Sequence, residues 1–171
     1  MKTLLSLLLL FTFSFSEEKP LQSVASVELQ KYMGKWYEIA RYENWFEKGC
    51  VGATAEYILD EEKVLVINRC YNEEGQKTDE ANGKAYTVEG SENTRLRVTF
   101  FWPFYGNYWI ITLAEDYRYV IVGEPSRKYL WILARTKYLS ENDKNDIVEA
   151  LKNHGYNVSK LYWTQNDKIV F

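Results

Sequence analysis

Apolar and polar residues alternate one by one through most of this chain, and no helix-length segment separates the stretches that do so. In Arg95-Leu96-Arg97-Val98-Thr99-Phe100 the apolar residues take one side and the polar residues the other, and Ala53-Thr54-Ala55-Glu56-Tyr57 repeats the pattern. A period of two puts one face in water and the other in a dry interior. The pattern predicts strands at Lys35 to Tyr42, Val51 to Leu59, Val64 to Tyr71, Gly83 to Val88, Arg95 to Phe101, Tyr108 to Leu113, Arg118 to Gly123 and Tyr129 to Arg135. Their connections are short and polar, such as Asp60-Glu61-Glu62 and the turn around Asn72 to Asp79. Parallel pairing needs a long crossover, so it is excluded. Such hairpin-linked strands either stack as two sheets or close on themselves. A closed barrel of eight strands is about wide enough to hold one small ligand.

One helix follows, Ser140 to His154. Ser140 suits the N-cap, Asp143 the third helical position, and Gly155 the left-handed end. Ile147, Val148 and Leu151 form an apolar stripe expected to pack on the outside of the strands. A short strand, Val158 to Trp163, and a polar tail complete the chain. The domain reading is therefore a signal peptide over 1–16, a leader over 17–33 and one barrel domain over 34–171. Lys2, the apolar run Leu4 to Phe15 and the small residues of Ser14-Phe15-Ser16 give the first segment its reading, with cleavage before Glu17. The run is short for a membrane anchor, the alternative. Export makes a single disulfide between Cys50 and Cys70 the simple expectation. It closes a loop of roughly 20 residues, worth about 3 kcal/mol.

Charge excludes some functions. The formal net charge is −3 and the longest basic cluster is Arg127-Lys128, so nucleic acid is not an expected partner. Catalysis has poor raw material. His154 is the lone histidine, the cysteines are expected to pair, and no Ser-His-Asp set or metal cluster is visible. No catalytic residue, metal or cofactor is expected.

Three segments resemble the short motifs of the lipocalin family: Gly34-Lys35-Trp36-Tyr37-Glu38 entering the first strand, Glu115-Asp116-Tyr117 between the sixth and seventh, and Arg135-Thr136 after the eighth. Gly34 to Glu47, Tyr129 to Arg135 and Phe100-Phe101-Trp102-Pro103-Phe104-Tyr105-Gly106 are similar to the bacterial lipocalins in particular. The resemblance implies an all-β fold, an eight-stranded up-and-down antiparallel barrel with one C-terminal helix outside. It further implies that Arg135 lies over Trp36 at the closed end, with Gly34 turning the chain into the floor and Asp116 and Tyr117 shaping a turn. Many bacterial relatives carry a lipidated cysteine after the signal peptide. None follows the apolar run here, so the expected location is the periplasm or association with the outer membrane without that anchor.

The period of two then assigns an interior. With Trp36 inside, Glu38 and Ala40 follow. Val64, Val66 and Asn68 join them, as do Leu96, Val98 and Phe100, and Tyr129, Trp131 and Leu133. Family similarity adds Tyr108, Ile110 and Thr112. The ligand-lining set read from this is Glu38, Ala40, Asn68, Val98, Phe100, Phe104, Tyr108, Ile110, Tyr129 and Trp131. A cup of this kind suits one acyl chain with a polar head, a fatty acid or a lysophospholipid. Glu38 is expected either to bond tyrosines or Asn68, or to meet the head group, where a carboxylate favours a lysophospholipid or neutral lipid over a fatty acid. The aromatic loop from Trp102 to Gly106 is read as a gate, a lid or a membrane contact, with Tyr42, Trp45 and Phe46 adding to the same rim. Two alternatives stand beside lipid transport: an enzyme on the same barrel, and an integral outer-membrane barrel. Monomer and homodimer are both open.

Overall fold

The computed structural model describes residues 19–169; the predicted signal peptide lies outside them. The eight predicted strands are present as β1 (Gly34–Tyr42), β2 (Gly52–Asp60), β3 (Lys63–Tyr71), β4 (Lys77–Thr87), β5 (Arg95–Phe101), β6 (Phe104–Leu113), β7 (Tyr119–Gly123) and β8 (Leu130–Ala134). Each pairs antiparallel with its neighbour in sequence, and β8 returns to β1, which also pairs β2. The sheet is thus closed. A ninth strand, β9 (Leu161–Trp163), pairs the far half of β1 from Ala40 to Tyr42, where β2 has peeled away.

Two strands begin earlier than the sequence suggested. β4 starts at Lys77, inside the expected polar turn, and β6 starts at Phe104, inside the expected aromatic loop. The β5–β6 connection is therefore only Trp102 and Pro103. Cross-strand pairing overrides the turn-like composition in both places.

Gly34 sits at φ +93°, where a side chain would be strained, and this sharp entry aims β1 from the barrel floor. The segment before it contains α1 (Leu29–Tyr32) and crosses beneath the closed end. The N–H of Val24 donates to Ile110 O and that of Val27 to Glu92 O. Outside the barrel, α2 (Glu141–Asn153) is capped by Ser140, whose Oγ accepts from the N–H of Asp143. The Asp143 carboxylate pairs with Arg118 at 2.8 Å, and Arg118 also pairs with Asp116 at 2.9 Å. One guanidinium thus ties the β6–β7 turn to the helix.

Two apolar clusters result. One fills the barrel and includes Trp36, Tyr57, Val64, Val66, Leu96, Ile110, Val122 and Leu133. The other lies between barrel and helix and includes Ile39, Ala40, Tyr42, Ile121, Ile132, Ile147, Leu151 and Tyr156. β7 serves both, with Val120 and Val122 inside and Tyr119 and Ile121 beneath α2, so all five of its residues are buried.

This division corrects the interior assignment at two residues. The β1–β8 register skips Ile39, so Glu38 faces Leu133 within the barrel while Ala40 faces Ile132 beneath the helix. The bulge adds one residue and reverses the phase of everything after it. Ala40 is therefore not part of the interior, and Tyr42 packs edge-on against Tyr156 rather than joining an aromatic rim. A second register shift at Ile111 sends Thr112 outward, where its Oγ1 lies 3.2 Å from Nε2 of His154. At the first bulge the C-terminal segment satisfies the loose carbonyls. Asn166 Nδ2 donates to Glu38 O at 2.7 Å, and the N–H and hydroxyl of Thr164 donate to Ile39 O.

Candidate ligand-binding calyx

Trp36 is fully buried at the closed pole, with its indole N–H donating to Tyr32 O at 2.9 Å. Outside it, the Arg135 guanidinium carbon lies 3.8 Å from the ring centre. Arg135 also donates to the carbonyls of Lys31 and Lys35, at 2.6 and 2.9 Å. Asp116 accepts from the N–H of Arg118, and the Tyr117 hydroxyl accepts from the N–H of Glu28.

Above Trp36 lies a layer of three tyrosines. Tyr108 Oη is 2.7 Å from Tyr32 Oη and 2.8 Å from Tyr57 Oη. Burial raises all three phenols, Tyr57 to about 12. They stay neutral and bond one another. Only about 10 Å³ of space remains among Tyr32, Met33, Tyr57, Val64, Leu96 and Tyr108, room for one water-sized sphere. The lower barrel is thus filled, and this layer is the floor of the usable space. Ile110 lies in that filled region, fully buried, and Tyr108 belongs to the floor. Tyr32 and Tyr57 were not among the expected site residues. The alternation of β2 marked Tyr57 as inward, but no local pattern shows that the leader returns Tyr32 to the same layer.

Nearer the open end the walls carry small residues. On β4 Ala81 and Gly83 pair across to Asn68 and Val66. On β6 Gly106 pairs with Val98, and a Cβ placed on Gly106 would meet only Val98 O, at 3.9 Å. Phe100 lies against Gly83, where any Cβ would strike its ring at 2.8 Å. An open-sided cavity of about 330 Å³ runs along β3, β4 and β5, bordered by Val66, Gly83, Phe100 and Trp102 and by Leu65, Ile67, Asn82, Lys84 and Thr99 of the opposite strand phase. Asn68 contributes a buried Oδ1 with no protein hydrogen-bond partner. On the other side of the mouth Tyr129 stacks on Trp131 with centroids 6.0 Å apart, and Phe46 leans on both. Phe104 stands at the lip, 70% exposed, stacked on Phe101.

Glu38 has neither of the partners expected for it within the protein. It pairs with Arg41 at 2.5 Å, a residue that the bulge turns to the barrel side. Arg41 also donates to Cys50 O at 2.8 Å, and its Nε faces Glu47 at 3.7 Å. Glu47 in turn accepts from the N–H of Trp131 and from the amide of Asn44. Burial, reinforced by the Glu47 charge, pushes Glu38 up to about 8 despite its guanidinium partner. One cation therefore lies between two carboxylates that repel each other. The Cys50–Cys70 disulfide, with Cα atoms 5.2 Å apart, pins the same loop to β3.

A family model described as the Lipocalin-like domain matches residues 27–166. The chain belongs to the lipocalin family. It is 41% identical over 144 residues to the outer membrane lipoprotein Blc of Vibrio cholerae, a match covering 83% of this chain and 84% of that protein. The Blc protein of Escherichia coli K12 is 40% identical over 143 residues, 83% and 81% of the two chains. Among solved structures, insecticyanin from the tobacco hornworm Manduca sexta superposes with a TM-score of 0.70 at 23% identity, over 85% and 84% of the chains, a likeness of fold. As a bacterial-type lipocalin, this is a binder of small hydrophobic molecules.

Proposed function

We propose that this lipocalin carries one single-chain lipid, a fatty acid or a lysophospholipid, through the cell envelope after export by its N-terminal segment. The observation that carries this is the contrast within the barrel. Its lower half is filled to the tyrosine floor, while above it Gly106 leaves an apolar opening beside Val98. Each buried methylene is worth about 0.8 kcal/mol. Eight to ten of them, roughly, outweigh an association cost of several kcal/mol. Asn68, Val98, Phe100, Phe104, Tyr129 and Trp131 line the chain's path, and Tyr108 sets its depth. The free Oδ1 of Asn68 suits a lipid hydroxyl.

Catalysis has no support at this site. His154 lies under the end of α2, its carbonyl held by Arg127, outside the barrel. An integral membrane barrel fits poorly, because the outer face carries the ion-paired Arg69, Glu56 and Glu80, which hydrocarbon penalises. Mass spectrometry of lipid extracted from the purified protein, with displacement of a fluorescent fatty acid, tests the reading. A bound single-chain lipid is expected; no co-purified lipid and no probe binding would overturn it.

A further inference from the structure

Two aromatic tips stand on opposite sides of the calyx mouth. β1 and β5 are four strands apart in a ring of eight, and the loops that follow both emerge at the open end. The first tip presents Trp45, 81% exposed, packed edge-on against Phe46. The second presents Phe101 and Trp102, 75% and 77% exposed. No charged residue occurs from Val98 to Ala114. Large apolar side chains this exposed mark a surface that meets something other than water.

We propose that this rim docks the open end of the barrel on a neutral lipid surface, with Trp45 and Trp102 inserted at headgroup depth. Identifying the surface as lipid rests on the reading of the cargo as a lipid. A plane touches both tips at once and spans the mouth, whereas the cavity along β3, β4 and β5 reaches Trp102 and not Trp45. Indole combines an apolar body with one N–H donor and settles at the boundary between acyl chains and water. The charge pattern selects the lipid. The loops at this end carry Glu43, Glu47, Glu73, Glu74 and Glu124 against Lys48, Arg127 and Lys128, so anionic headgroups gain nothing and insertion is apolar. A second copy pressed on the same rim would seal both mouths against the cargo, the opposite of what a carrier needs.

Sedimentation with vesicles of phosphatidylcholine and phosphatidylethanolamine tests this, using the intact protein and the double variant Trp45→Ser/Trp102→Ser. The wild-type protein should pellet with the vesicles equally at low and high salt. The variant should partition roughly tenfold less or weaker still, with unchanged unfolding temperature, and Trp45→Ser alone should weaken partitioning while leaving binding of a short-chain fluorescent fatty acid in vesicle-free buffer unchanged. Wild-type protein left in the supernatant, a variant that pellets fully, or association abolished by salt would each overturn the proposal. So would a dimer that the same substitutions dissolve, since the rim would then belong to a second copy. If the wild-type protein docks but binds no fatty acid, the cargo reading fails and the docking surface stands.

Discussion

The guanidinium of Arg135 lies over Trp36, its carbon 3.8 Å from the ring centre, and its two terminal nitrogens reach carbonyls on either side of the α1–β1 junction. One side chain thus closes the barrel and fastens the leader beneath it. The stacking contributes about 0.5–2 kcal/mol, and each hydrogen bond about 0.5–1.5 kcal/mol net. Arg135→Met keeps the aliphatic cover and removes the rest. Urea denaturation should show a loss of about 2–3 kcal/mol. Lipid affinity should not change, because the tyrosine floor separates this pole from the calyx.

Glu38 makes stability depend on pH in an unusual direction. Its folded value, about 8, lies above the ordinary 4.5. Between those values the unfolded chain has released the proton and the native protein retains it, so rising pH favours unfolding. The cost is absent below about 4.5, grows through this window and levels off above 8. In Glu38→Gln it vanishes. The unfolding temperature of the variant, measured from pH 5 to 8.5, should therefore fall less steeply than that of the wild type. Parallel curves would show that Glu38 titrates normally.

Most of the barrel could be read from alternation alone, because each strand has one wet and one dry face. The helix was equally legible, since Ser140, Asp143 and Gly155 cap it and Ile147 and Leu151 mark its buried side. What escaped was phase. A bulge inserts one unpaired residue, and Ile39 or Ile111 looks like any other strand isoleucine. Everything beyond each bulge is then assigned to the wrong face. Ala40 and Thr112 were misplaced for that reason, and Arg41, the partner of Glu38, was missed with them. The carbonyls that fix the first bulge are held by Thr164 and Asn166, more than a hundred residues away, and no local signal records such a contact.

The disulfide joins residues 20 apart and anchors the loop that carries Glu47. Replacing both cysteines with serine should cost about 3 kcal/mol by loop entropy. A second effect follows from Arg41, which donates to the Cys50 carbonyl. Freed from β3, that loop should exchange its amides faster at Glu47 and Cys50, with little change on β6 and β7. Hydrogen exchange followed residue by residue separates this local loosening from uniform destabilisation.

Gly106 provides the most direct test of where the ligand lies. It faces Val98 on the inner wall, and the space that a Cβ would take is otherwise empty. Gly106→Leu should fill the calyx above the tyrosine floor without pressing on the core. Since glycine is a poor strand residue, stability should stay within about 0.5 kcal/mol of wild type or rise slightly. Affinity for a single-chain lipid should fall at least roughly tenfold, because the methylenes nearest the mouth, at about 0.8 kcal/mol each, lose their place. Gly106→Ala, adding one methyl, should reduce it only slightly. If both variants bind the lipid as the wild type does, the chain does not pass Gly106 and the path along β5 and β6 is wrong.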